Sequence, residues 1–224
     1  MTAMPAIRIA ACAFVLSLLA ARSGSALPSW LLPAEWTVFP TGVAPASAET
    51  VVAPGAKLGV RPGPGGGVGL LFNGPNHLAT SVTLDAARLP LRLTAAGGST
   101  SGGEIDFAPL SIVEQLRYRH GRFEPYVGAG ITVPFLLSTQ LSNALRQAGV
   151  DAIRRPDHPA LVVSTGFDFA LGERTALVVD LHWVPFAETL VVVPRGEVFK
   201  SQELMLDVNP LTIGVGVAWR PFRP

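Results

Sequence analysis

Asp180 and His182 stand two residues apart, and Asp168 precedes them in a neighbouring stretch of similar pattern. In an extended strand, residues i and i+2 share a face, so a carboxylate and an imidazole side by side could act as a general acid–base pair. The other three histidines, His77, His120 and His158, lie on separate segments without metal-ligand spacing, and the one cysteine, Cys12, is remote from all of them. Neither a metal site nor a cofactor is expected. Ser111 and Ser164 have no nucleophile-elbow context. The charged residues read instead as a structural cluster paired with Arg117 or Arg220, because charges in a space too narrow for bulk water must pair. No enzyme activity is expected.

The elements that would enclose such a cluster are constrained by composition. The 224 residues are 49% hydrophobic and only 15% charged, with a formal net charge of +1. An average soluble domain is roughly 25% charged. Disorder and a basic nucleic-acid binder are excluded. Only Lys57 and Lys200 supply lysine. Such a composition suggests a second solvent besides water.

A transmembrane helix needs about 20 apolar residues. The best candidate, Ile9 to Ala21, has 13, preceded by Arg8 and followed by Arg22-Ser-Gly-Ser-Ala26. That order reads as a secretory signal peptide over residues 1–26, leaving 27–224 as one domain; a short N-terminal anchor or buried helix is the alternative. Cys12 lies inside the apolar run, so a lipid-anchoring cysteine at the cleavage point is not expected, and the mature chain would carry no disulfide. The mature chain would hold 15 basic and 16 acidic groups, which gives no steering of nucleic acid or acidic lipid. An apolar exported chain without spanning helices can satisfy its backbone in lipid only as a closed β-barrel.

Period-two patterning supports that reading. From Leu161 to Leu171, large apolar residues (Leu161, Val163, Phe167, Phe169, Leu171) alternate with Val162, Ser164, Gly166, Asp168 and Ala170. The same split separates Val127, Ala129, Ile131, Val133 and Phe135 from Tyr126, Gly128, Gly130 and Thr132, and separates Leu211, Ile213, Val215, Val217 and Trp219 from Thr212, Gly214, Gly216, Ala218 and Arg220. Helical spacing does not fit. A soluble barrel puts its large apolar side chains inside and its charges outside. Here the charges belong to the small-residue face, which suits a polar interior and a lipid-facing exterior. A two-sheet sandwich is the alternative, although its outer face would carry more charge.

Eight antiparallel strands are expected: 34–46, 64–73, 78–95, 104–119, 123–139, 159–171, 174–193 and 203–222. Short turns at 73–76, 120–122 and 171–174 alternate with longer links, placing the short turns on the periplasmic side. A helix is expected over Gln140–Ala148 at the barrel mouth, packed on the rim, with Gly149 placed to end it. Pro54 to Gly67 has the composition of a mobile loop. Glu114 falls on the apolar face, which requires either a bulge or an interfacial position. Leu89, Leu91 and Leu93 are out of phase with Val82 and Leu84, implying a bulge near Arg88 or departure from the membrane there.

Two stretches carry a resemblance: Glu124-Pro-Tyr-Val-Gly-Ala-Gly-Ile131, and Leu206-Asp-Val-Asn-Pro running on to Phe222. Together, in this strand order, they resemble the outer membrane protein W (OmpW) family, best between about Phe107 and Phe222. The resemblance implies an eight-stranded outer-membrane barrel with a narrow lumen that passes or binds small apolar molecules, and it implies no enzyme activity. Arg223 and Pro224 follow Phe222, whereas chains of this kind usually finish on an aromatic residue. The resemblance sets Trp183 at an apolar constriction; period-two counting sets it on the lipid face with Leu177, Val179 and Leu181. Asp85 falls where the resemblance implies an apolar constriction residue.

The expected function is a narrow outer-membrane channel or binding site for small, largely apolar solutes, the alternative being a non-conducting structural or adhesive barrel. Pore-lining candidates are Asp85, Tyr126, Thr132, Ser164, Asp168, Asp180, His182, Thr212 and Arg220. Expected partners are outer-membrane lipid, small apolar solutes and the outer-membrane assembly machinery, with no nucleic acid.

Overall fold

The computed structural model describes residues 32–46, 49–154, 159–185, 189–194 and 204–221. The segment read as a signal peptide, residues 1–26, and His158 lie outside them. In chain order the strands are β1 (Glu35–Ala46), β2 (Glu49–Ala53), β3 (Ala56–Val60), β4 (Gly63–Asn73), β5 (Leu78–Ala95), β6 (Gly98–Arg117) and β7 (Phe123–Leu141). A short helix α1 (Asn143–Gln147) precedes β8 (Val150–Arg154), β9 (Ala160–Ala170), β10 (Thr175–Trp183), β11 (Thr189–Pro194), β12 (Leu204–Asp207) and β13 (Asn209–Trp219).

Eight of these strands form a closed antiparallel ring in the order β5, β4, β1, β13, β10, β9, β7, β6, with β6 returning to β5. Closure removes the free edges that would leave backbone groups unpaired in lipid. The seam is the pairing of the first and last ring strands, from Trp36 opposite Trp219 to Ala46 opposite Asn209. On β9, Leu161, Val163 and Phe169 are exposed while Val162, Ser164 and Asp168 are buried. Val38, Val68, Ile112, Ile131, Ile213, Val215 and Val217 likewise point out from their strands. So continuous an apolar exterior is what a lipid-facing surface requires and what a soluble monomer rarely shows. Trp36, Tyr118, Phe123 and Trp219 cluster at the short-turn end, as an interfacial aromatic girdle does.

Several elements differ from the sequence reading. The stretch expected as a mobile loop, Pro54 to Gly67, contains β3 and the start of β4. The β2–β3 hairpin adds to β5, with Lys57 opposite Thr94 and Val60 opposite Leu91, so β3 takes over the edge that β4 leaves free. The expected seventh strand, 174–193, divides into β10 and β11 around Pro185. Beyond that point the chain joins a separate three-stranded sheet of β12, β11 and β8. The expected eighth strand divides into β12 and β13 for the same reason. Gln140 and Leu141 finish β7, so the helix is confined to α1. Ser142 caps it, its Oγ accepting the Leu145 N–H at 3.2 Å, and Gly149 takes a left-handed φ of +91° beyond its end.

Strand β5 has no bulge at Arg88. Its buried face runs unbroken through Ser81, Thr83, Asp85, Ala87, Leu89, Leu91 and Leu93, and the register with β6 shifts only beyond Leu91. What changes along the strand is the chemistry of the inner face, polar in one half and leucine-rich in the other. Leu91 and Leu93 meet Leu58 of β3, Ile105 of β6, Leu145 of α1 and Val150 and Ile153 of β8 in one buried cluster at the outer end, and Leu89 packs with Val43 and Ala87. Each such buried side chain contributes about 1.5–3 kcal/mol, which fixes the hairpin and helix to the rim. Glu114 also stays on the outer face, without a bulge. It lies three residues from the end of β6, where Thr80 Oγ1 donates to it at 2.6 Å.

Candidate functional site

Parity along each ring strand decides what enters the interior. On β1 the inward set is Glu35, Thr37, Phe39, Thr41 and Val43; the facing positions on β4 and β13 are largely glycine. The reason is space. Phe39 lies opposite Gly67, and a Cβ at Gly67 would sit 2.7 Å from the Phe39 ring, while one at Gly216 would overlap the Phe39 Cβ. Glycine at both positions lets one aromatic ring fit across a narrow bore.

The sequence-derived candidates fall on this inner surface. Asp85, Tyr126, Thr132, Ser164, Asp168, Asp180, His182 and Arg220 are buried, and Thr212 is half-buried. They divide into layers. Nearest the short-turn end, Arg220 bonds Glu35 at 2.5 Å and Asp168 at 2.7 Å. Arg117 also bonds Asp168, and it reaches Glu124 at 3.0 Å and Gln115 at 2.7 Å. Its guanidinium lies 4.7 Å from the centre of the Tyr126 ring. Asp168, only 1% exposed, is thus shared by two guanidiniums, the pairing that burial of a carboxylate demands.

In the next layer the Tyr126 hydroxyl donates to Asp180 at 2.7 Å, and His182 Nε2 lies 2.8 Å from the other Asp180 oxygen. The Asp180–His182 pair is therefore bound up in a buried network with a tyrosine. Ser164 faces His182 across the β9–β10 ladder. Above them Ser111 donates to Thr132 at 2.9 Å, after which the lining turns apolar at Val43, Ala87 and Leu89. Between the arginine layer and Asp180 lies a cavity of about 30 Å³, bordered by Glu35, Thr83, Arg117, Tyr126, Asp168 and Asp180. That is room for about two water molecules.

Glu35, Gln115, Glu124 and Phe39 were not among the sequence candidates. Parity alone would have found Glu124, which shares a face with Tyr126; Glu35 needed the register of the first strand against the last. His77 and His120 stay near the short turns, far from His182. Among the described residues no three His, Cys, Asp or Glu side chains are placed to hold a metal ion. Trp183 is 45% exposed and points outward at the end of β10, so the constriction position implied by resemblance is not where the structure sets it.

A closed eight-stranded ring with an apolar outside and a charge-paired inside defines an outer-membrane β-barrel. The OmpW family model matches residues 86–221, and the chain belongs to that family. Among solved structures, OprG of Pseudomonas aeruginosa is similar at a TM-score of 0.68 and 14% identity, covering 84% of this chain and 95% of that one. Neisserial surface protein A aligns at 0.53 and 14%, over 84% and 97% of the two chains. E. coli outer membrane protein W aligns at 0.44 and 15%, over 84% and 98%. No curated protein matches the chain significantly. The protein is located in the outer membrane.

Proposed function

We propose that the barrel is a narrow conduit or binding site for small, largely apolar solutes, which meet the leucine-rich outer end first and the polar interior next. The observation that supports this reading is the change of lining along β5, from Leu93, Leu91 and Leu89 at the mouth to Asp85, Thr83 and Ser81 below. That collar is closed by packing, since Leu89, Leu91 and Leu93 are all buried, so a solute reaches the groups that can orient it only where the packing parts. Passage to the periplasm then requires the Arg117, Asp168 and Arg220 layer to part. On this reading the partners are outer-membrane lipid, the machinery that inserts barrels, and the solute.

The small size of the interior cavity, about 30 Å³, favours a second reading, a non-conducting structural or adhesive barrel. Reconstitution into planar bilayers and solute-loaded liposomes separates the two. Conductance or uptake of small solutes is expected; complete absence of both would leave the structural reading.

A further inference from the structure

On the outer wall of the barrel, Arg61 and Arg92 stand side by side without a counter-charge. Val60 packs against the apolar cluster at the mouth, so Arg61, the next residue, turns outward. Its N–H bonds the Pro90 carbonyl at 2.9 Å, which sets it opposite Pro90 and diagonal to Arg92, while Gly59 faces Arg92 directly. Residues on such a diagonal lie roughly 7–8 Å apart, so one small ligand can touch both long side chains. Both arginines are exposed. The acids of this wall are taken: Glu49 lies 3.9 Å from Lys57, and Glu104 and Asp106 hold Arg88 at 3.4 and 2.8 Å. No ion pair among the described residues includes Arg61 or Arg92. The Arg92 guanidinium donates to the Ser99 hydroxyl at 2.6 Å, which orients it and leaves its charge unmet.

The pair also sits at a defined height. The outward residues of β5 run Leu78, Thr80, Val82, Leu84 and Ala86 before the first charge, Arg88, ten positions from the start of the strand. A barrel strand rises about 3.3 Å per residue at a tilt of about 40°, so that stretch climbs about 25 Å, the height of the apolar band of an outer-membrane barrel. Arg61 and Arg92 therefore stand just above the outer edge of that band, where lipid head groups begin. We propose that Arg61 and Arg92 together clasp the phosphate group of an outer-leaflet lipid, each guanidinium donating to separate phosphate oxygens. Planar guanidinium forks match phosphate oxygens in geometry as well as in charge, and a lipid phosphate is the oxyanion that this height presents. The site lies on the outer wall, so it does not depend on whether the lumen passes solutes.

The test is titration of the purified barrel in zwitterionic detergent micelles with diphosphorylated lipid A, with its dephosphorylated form and with inorganic phosphate, followed by backbone amide NMR. Diphosphorylated lipid A is expected to shift residues 59–61, 90–93 and 99 saturably. The dephosphorylated form should bind about tenfold more weakly or worse, the cost of losing a charge-assisted hydrogen bond. Arg61→Gln and Arg92→Gln should each weaken the phosphorylated lipid by a similar factor. Arg122→Gln, which removes an exposed arginine at the short-turn end, should leave binding unchanged. Folding of each variant is checked by its heat-modifiable gel mobility; if one does not fold, the contrast between the two lipid forms on the unmodified barrel decides. Equal affinity for the dephosphorylated lipid, unchanged binding in both Arg61→Gln and Arg92→Gln, or an equal loss in Arg122→Gln overturns the proposal. Saturable shifts of the same residues by inorganic phosphate at the same concentration would assign the pair to a soluble phosphate and overturn the lipid as its occupant.

Discussion

Arg220 and Glu35, 185 residues apart in sequence, meet at 2.5 Å inside the barrel. They belong to the two ends of the ring, so the contact ties the seam between β1 and β13 from within, below the Trp36 and Trp219 pair that marks it on the outside. Removing the guanidinium strands Glu35 and takes one of two arginines from Asp168. Arg220→Ala is expected to cost about 3–5 kcal/mol, the usual penalty for orphaning a buried charge, read as a lower urea midpoint in lipid vesicles. An unchanged midpoint would mean the clasp is replaced by water.

Phe39 and the glycines around it set the width of the bore. Phe39→Ala should cost about 3–5 kcal/mol through the cavity left behind, and should enlarge the interior. Gly67→Val should cost about 1–3 kcal/mol by overpacking the ring and the Asp85 carboxylate. Denaturant titration of both variants checks the pair. If Gly67→Val is neutral, the ring is not wedged as described.

Phe167 packs on Phe123 with ring centres 5.1 Å apart, on the outer surface of β9 and β7. Phe167→Arg is expected to destabilise the barrel by about 2–4 kcal/mol if the site lies near the bilayer midplane, and less toward the interface. Asp168→Asn should instead disturb the interior, by leaving Arg117 and Arg220 without their shared carboxylate. Comparing the two unfolding midpoints in vesicles of thick and thin acyl chains separates them, because only the outward variant should respond to bilayer thickness.

The ring and the facing of its side chains were legible because alternation in β7, β9 and β13 is long and unmixed, and a single phase assigns each face. Asp168, Asp180, His182 and Arg220 followed from that phase. Their partners did not, since the meeting of Arg220 with Glu35 depends on which strands are neighbours and in what register. The β2–β3 hairpin was hidden by its Gly and Pro content: Ala56–Val60 is a strand because β5 offers it an edge, and Gly63, Gly65 and Gly67 are in a strand because the bore needs small residues opposite Val43, Thr41 and Phe39. The phase of β5 misled for a related reason. Its inward leucines face the apolar cluster at the mouth, so an apolar residue on that strand marks the interior in one half and the exterior in the other.

The most direct measurement is single-cysteine labelling at positions 167, 168 and 169. Cys12, in the segment read as a signal peptide, is the chain's one cysteine, so each variant of the mature barrel would report on one site. A lipid-phase quencher should reach fluorophores at 167 and 169 and not at 168. A small aqueous thiol reagent should react at 168 and not at its neighbours once Arg220→Ala loosens the ion-paired layer to which position 168 belongs. The reverse pattern, quenching at 168 and aqueous labelling at 167 and 169, would contradict a barrel with lipid outside and paired charges within.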